Sequence, residues 1–313
     1  MIERGRNDTM PRWLIHTLLT MLLWGGWGVV SKPLSSTLSA WEMQALSTFG
    51  LLPVILVLAC SRSLRTGANP RRGFLQAFAA GLIVSAGNAA YYKALALGGK
   101  AAAVTPLTSL YPLVTILLAL GLLQERLNSV QAAGVGVSLL AIYVFNVGGE
   151  TEFLSPWLVF ALVPILLWGV GALLQKLSTR HASNELSTLA FLLGFIPVAL
   201  LIPIFQRIGW QLTGKTWGFV ILLGALFALG NLTLIFAYGS GGKGSIVTPM
   251  ASLYSLVTIP LAVAILGEQI SLREWIGIAL ALGAVVALCF EKPNAAAEPV
   301  RVEVNPAEPS ARS

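Results

Sequence analysis

The segment GGKAAAVTPLTSLYPLVTILLALGLLQE, from Gly98 to Glu125, returns as GGKGSIVTPMASLYSLVTIPLAVAILGE from Gly241 to Glu268. The copies align without a gap at an offset of 143 residues, and 17 of their 28 positions are identical, which marks a duplication. The match reaches back to Gly87 and Asn88, twinned by Gly230 and Asn231. Likewise LLWGGWGVVSK at 22–32 is echoed by LLWGVGALLQK at 166–176, through Trp24 and Trp168 at an offset of 144. Whatever this chain folds into must house one unit twice.

The unit is built for lipid. Of the 313 residues, 56% are hydrophobic and 11% charged, where a soluble domain carries about 25% charged residues. Apolar runs long enough to cross a bilayer, about 17 to 25 residues each, recur along the chain. They predict an all-α integral membrane protein of ten transmembrane helices, near 13–31, 41–60, 74–97, 101–123, 129–147, 156–175, 185–206, 216–239, 244–266 and 272–290. Each repeat then holds five spans, residues 13–148 and 156–290, between a cytoplasmic tail at 1–12 and a Pro- and Ala-rich tail at 291–313 expected to be disordered and cytoplasmic. Five is odd, so the second copy enters the membrane from the opposite side. Inverted repeats are a recurrent plan of secondary transporters, whose halves exchange conformations to open alternately to each side. No loop is long enough to fold alone, so function must sit among the helices.

The net charge of +7 follows membrane orientation rather than a nucleic-acid partner. With both termini inside, fourteen Lys and Arg fall on cytoplasmic segments, among them Arg62, Arg65, Arg71 and Arg72, against five outside: Lys32, Lys100, Arg207, Lys215 and Arg273. That asymmetry is the positive-inside pattern of a multi-pass protein of a bacterial inner (plasma) membrane. Cys60 and Cys289, at helix ends, have neither metal-ligand nor redox spacing and read as packing residues. GSGGKGS at 239–245 is a poor phosphate loop, because its Lys precedes Gly and two membrane helices flank it. No cofactor and no metal are expected.

The five-plus-five plan, the WG pair in the first helix of each repeat, the VTPxxSLY runs and the Glu closing each fourth helix resemble the drug/metabolite transporter superfamily, EamA type. The resemblance covers all ten spans; Gln124 departs from it where Gly267 keeps the Gly before the Glu. It implies alternating-access transport of a small organic solute, an amino-acid-like metabolite or a drug, with export the favoured direction and a path lined mainly by helices 3, 4, 8 and 9 with help from 1 and 6.

The candidate residues each carry a second reading. Thr105, Ser109 and Pro112 share one face of helix 4, and Thr248, Ser252 and Ser255 repeat the theme, as a hydrogen-bonding cavity wall or as small residues that let helices approach. The twin prolines Pro106 and Pro249 each free a backbone carbonyl, as hinges facing the path or as packing kinks. Asn88 and Asn231 must face the bundle interior, to bind solute or clamp helices. Tyr91, Tyr92 and Tyr238 offer rings for stacking or an interfacial belt, and Tyr111, Tyr254, Trp24 and Trp168 are expected to point inward because of their repeated contexts, to meet solute or to pack. Lys93 stands where its twin is Phe236, and either snorkels or meets an anionic group. Glu125 and Glu268 suit the N-terminal end of the next helix, with proton coupling as the alternative. An enzyme would need clustered His, Cys or acidic groups at mid-depth, whereas His16 and His181 stand far apart. A membrane scaffold or sensor and an import permease are the remaining alternatives. The implied partners are a small-molecule substrate and the lipid bilayer, with oligomeric state open, a homodimer included.

Overall fold

A computed structural model describes residues 10–123, 128–146, 155–242, 244–288 and 290, and among these there is helix and no strand. The helices are α1 (Arg12–Leu34), α2 (Ala40–Ser47), α3 (Leu52–Ala59), α4 (Pro70–Ala96), α5 (Ala101–Thr108), α6 (Tyr111–Leu123), α7 (Ser129–Asn146), α8 (Pro156–Ser178), α9 (Asn184–Leu193), α10 (Phe195–Phe205), α11 (Gly214–Gly239), α12 (Gly244–Ser252), α13 (Ser255–Leu266) and α14 (Leu272–Leu288). Eight apolar spans among the described residues are long enough to cross a bilayer, four of them built from helix pairs: α2 with α3, α5 with α6, α9 with α10 and α12 with α13; α7 carries a shorter apolar stretch. This is a multi-pass membrane protein. The tails at 1–9 and 291–313, together with Glu125 and Cys289, lie outside the described residues.

Short polar side chains start the helices. Ser39 and Glu42 form a reciprocal capping box on α2, and Asn69, Ser183 and Thr213 accept from first-turn amides of α4, α9 and α11, satisfying donors that hydrocarbon would leave orphaned.

Four expected continuous spans are interrupted. The second passes through a 3-10 turn at Thr48–Leu51, and the seventh breaks at Gly194. Both interruptions are crossings of bare backbone: a Cβ on Gly224 of α11 would overlap Ser47 O, and a Cβ on Gly81 of α4 would overlap Phe191 O. The fourth and ninth spans break at Ser109–Leu110 and Leu253–Tyr254, while Pro106 and the position of Pro249 stay inside α5 and α12. The sequence expectation put the bends at those prolines; the helix axis is interrupted three to five residues later. In the first copy the Thr105 carbonyl accepts from Ser109 N, Ser109 Oγ and Thr108 Oγ1 at 3.0, 2.9 and 3.0 Å. Hydroxyls competing for a helix carbonyl, with i to i−3 bonds such as Leu110 N to Leu107 O and Leu253 N to Met250 O, tighten the turn there.

Packing follows an exchange between the halves. α1 lies along α11 in opposite direction, with Thr20, Trp24 and Trp27 against Thr233, Gly230 and Phe227. Their twins repeat this, α8 lying against α4 through Trp168 on Gly87 and Gly171 on Val84. α1 and α4 run side by side in the same direction, Trp27 meeting Tyr91 and Tyr92, and Lys32 reaching Leu95 and Gly99. Thr115 Oγ1 donates to Gly169 O at 2.9 Å, and Thr258 Oγ1 donates to Gly25 O at 3.0 Å, the same bond made twice.

Candidate functional site

Where α1, α4, α6, α8 and α11 meet α9 and the ring of Tyr254, a cavity opens between the helices. Its walls include Trp24 and Trp27 of α1, Tyr111 of α6, Trp168 and Gln175 of α8, and Asn231 and Tyr238 of α11. Among the described residues, the lining joins indole and phenol rings to two carboxamides and includes no charged side chain. Such a surface takes up an apolar or flat solute face and orients it through a few polar groups.

A plug of rings floors the cavity. Trp27 stacks on Tyr91 with centroids 4.6 Å apart, donates from Nε1 to Tyr92 OH at 3.2 Å, and meets Trp168 edge-on at 5.9 Å. Tyr91 OH and Thr105 Oγ1 lie 3.0 Å apart, and all five residues are buried. In the other half the twins of Trp27, Tyr91 and Tyr92 are Gly171, Leu234 and Ile235. Leu234 lines the cavity, which extends toward Gln175 and Tyr238 at the ends of α8 and α11. The space therefore lies where the second repeat lacks the first repeat's large rings. Beyond the plug, Lys32 Nζ donates to Leu95 O and Gly99 O at 3.1 and 2.7 Å. Lys100 pairs with Glu274 at 2.8 Å, and Glu268 accepts from Ala101 N and Ala102 N at 2.8 and 2.9 Å.

Glu268 thus corrects an expectation. It serves the N-terminus of α5 in the opposite repeat, while the helix that follows it, α14, is capped by Ser271 and Glu274. The reason is geometric: after the left-handed Gly267 the carboxylate faces the start of α5, whose first amides lack helical partners.

Of the residues singled out in the sequence, Trp24, Trp168, Tyr111, Asn231, Tyr238 and Tyr254 line the cavity together. Thr248 stands behind Tyr238, their oxygens 2.8 Å apart. Asn88 is buried and accepts from Trp168 Nε1 at 3.0 Å, holding that indole in place. Tyr91, Tyr92 and Thr105 belong to the plug. Ser109, Ser252 and Pro106 are buried in the α5 and α12 segments, Ser109 turned to its own backbone; the side chain of Pro249 lies outside the described residues. Lys93 is exposed on α4 and apart from the cavity lining, since Tyr91, Tyr92 and Ala94 around it take the buried positions. Cys60, expected to pack, is exposed at the end of α3. The sequence reading missed Trp27, Phe191, Phe227 and Gln175. Gln175 left a signal, a carboxamide in an apolar helix at the twin position of Ser31.

Residues 11–147 and 155–290 each match the model of a family described as EamA-like transporters. The chain belongs to the EamA-like transporter family. Its two matched stretches are the EamA repeats, and the cavity lies between them. Over 127 residues the chain is 28% identical to a "Putative sugar uptake protein" of Lactiplantibacillus plantarum, a match spanning 41% of this chain and 44% of that relative. The chain thus aligns with less than half the length of this curated relative. A crystal structure of a protein 19% identical in sequence superposes with a TM-score of 0.61, covering 88% of this chain and 95% of the other, so the fold is shared.

Proposed function

We propose that this EamA-like protein is a secondary transporter that moves a small uncharged organic solute by alternating access, through ten spans arranged as two inverted five-helix repeats. The cavity carries the reading: it sits on the interface between the repeats, where one half has a ring plug and the other has Gly171, Leu234 and Ile235. Antiparallel registers of α1 on α11 and α8 on α4, with α1 and α4 parallel, support opposed halves. In that arrangement the end held by Lys100, Glu268 and Glu274 is closed and the Gln175 end is the way in. With both termini cytoplasmic in an inner membrane, the open end faces the cytoplasm.

Among the solutes expected from sequence, a zwitterionic amino acid brings two charges to a wall of rings and amides, and desolvating them without partners is costly. An uncharged compound suits the lining better, and a neutral sugar, the cargo class in the name of the 28% identical relative, is the one to test first. Export, implied by the family resemblance, and uptake, named for that relative, would use the same cavity.

The test is solute flux in proteoliposomes of the purified protein, with labelled D-glucose, D-glucuronate and L-leucine loaded on either side in turn. Saturable D-glucose flux above protein-free vesicles supports the reading, and flux of none of the three refutes it. Topology is checked by single cysteines at Gly149 and Asn69 in a background lacking Cys60 and Cys289. Only the first should react from outside intact cells; equal reactivity would contradict the arrangement.

A further inference from the structure

The cavity holds one hydrogen-bond donor that its own twin has satisfied. In the first repeat's version of the motif, Trp168 Nε1 lies over Gly87 and donates to Asn88 Oδ1 at 3.0 Å. In the second, Trp24 Nε1 lies over Gly230 in the same way, beside Asn231, the twin of Asn88. Yet Trp24 Nε1 is buried and has no partner among the described residues. The Asn231 carboxamide is bonded elsewhere: Gln175 Nε2 donates to Asn231 Oδ1 at 3.2 Å, and Asn231 Nδ2 donates to Phe227 O at 2.9 Å. Gln175 stands where the other half has Ser31, whose shorter side chain donates to Gly28 O in its own helix at 2.7 Å.

An orphaned buried N–H is costly and rare in a folded protein. Trp24 and Asn231 both line the ring-walled cavity, and the Asn231 carboxamide is engaged by Gln175, another wall residue. We infer that Trp24 Nε1 is kept free as the donor to a hydrogen-bond acceptor of the transported solute, with Gln175 as the positioning residue that keeps it free. The acceptor is neutral, a hydroxyl or ether oxygen of a sugar-like solute whose apolar face lies on the rings of Trp168 and Tyr111. The wall supplies carboxamides, which donate and accept in one plane, and among the described residues it has no cation to pair an anion. The inference rests on the transporter reading for the role of the cavity.

The experiment separates the two. Binding is read as quenching of intrinsic tryptophan fluorescence in detergent-solubilised full-length protein, with D-glucose as probe and D-glucuronate and D-glucosamine as its charged counterparts. Transport is read as D-glucose counterflow in proteoliposomes. D-glucose should bind more tightly than either charged analogue. Trp24→Phe keeps most of the ring and removes the N–H, so it should weaken D-glucose binding about 2- to 12-fold, the worth of one neutral hydrogen bond, with a smaller fall in melting temperature than Trp168→Phe, because only ring packing on Gly230 and Tyr254 is lost in the empty protein. Trp168→Phe should lower the melting temperature, because it strands Asn88 Oδ1. Gln175→Ser copies the first repeat and frees Asn231 Oδ1 for Trp24, so it should also weaken binding, and adding Trp24→Phe to it should weaken binding no further.

Unchanged D-glucose affinity in Trp24→Phe overturns the inference, as does full additivity of the two substitutions. Tighter binding of D-glucuronate or D-glucosamine than of D-glucose, or no D-glucose binding, overturns it as well, while counterflow of another solute would leave the transporter reading standing. Trp24-dependent D-glucose binding without counterflow of any solute would uphold the donor and sink the transporter reading.

Discussion

Replacing Glu268 by Gln tests whether the end beyond the ring plug is held shut by backbone capping across the repeats. The carboxylate accepts from Ala101 N and Ala102 N at 2.8 and 2.9 Å, the first amides of α5. A hydrogen bond to a charged group contributes about 1.5–3 kcal/mol and a neutral one about 0.5–1.5 kcal/mol. A carboxamide keeps one acceptor and turns an NH₂ toward the second amide, so the ceiling on the loss is about 2–5 kcal/mol. Glu268 is half-buried, and solvent screening brings this to about 1–3 kcal/mol. If the bond exists only when that end is closed, the closed-to-open ratio falls about 5- to 150-fold. The assay is the maleimide reaction rate of Ala103→Cys, which is buried behind the tie, in proteoliposomes of protein lacking Cys60 and Cys289. The rate should rise by that factor, with little change at an Ala190→Cys control, buried in α9. An unchanged Ala103→Cys rate, or an equal acceleration at both positions, would refute a local tie at Glu268.

Other outcomes follow from the same geometry. In α11, Gly218→Ala meets open space and should stabilise by about 0.5–1 kcal/mol through helix propensity; Gly224→Ala drives a Cβ into Ser47 O and should destabilise by about 1–3 kcal/mol. Melting temperatures of the two variants should move in opposite directions. Glu274→Gln removes the Lys100 ion pair, whose partners are 38% and 15% exposed. It should change Ala103→Cys labelling less than about 5-fold, and less still at high salt. Tyr91→Leu installs the twin residue Leu234 in the plug, losing the Thr105 contact and the stack on Trp27, together about 1–3 kcal/mol. Labelling of Ala103→Cys should rise, and an unchanged rate would show that the rings do not seal that end.

The duplication, the apolar spans and the pairs of twin residues could all be read along the chain, because each is a local property: a run length, a spacing, an offset. From these, six residues that share one cavity could be named, including Trp24, Asn231 and Tyr254. The interruptions of the fourth and ninth spans were displaced from Pro106 and Pro249 to Ser109–Leu110 and Leu253–Tyr254, since hydroxyl competition for a carbonyl is invisible to hydropathy. Tertiary structure alone decided which helix ends meet. It sent Glu268 to α5 rather than to its own following helix, turned Lys93 away from the cavity, and brought Gln175 onto Asn231. Near-identical motifs then received different partners, because a side chain's hydrogen bonds depend on the neighbour across the repeat interface, and at that neighbour the two halves differ.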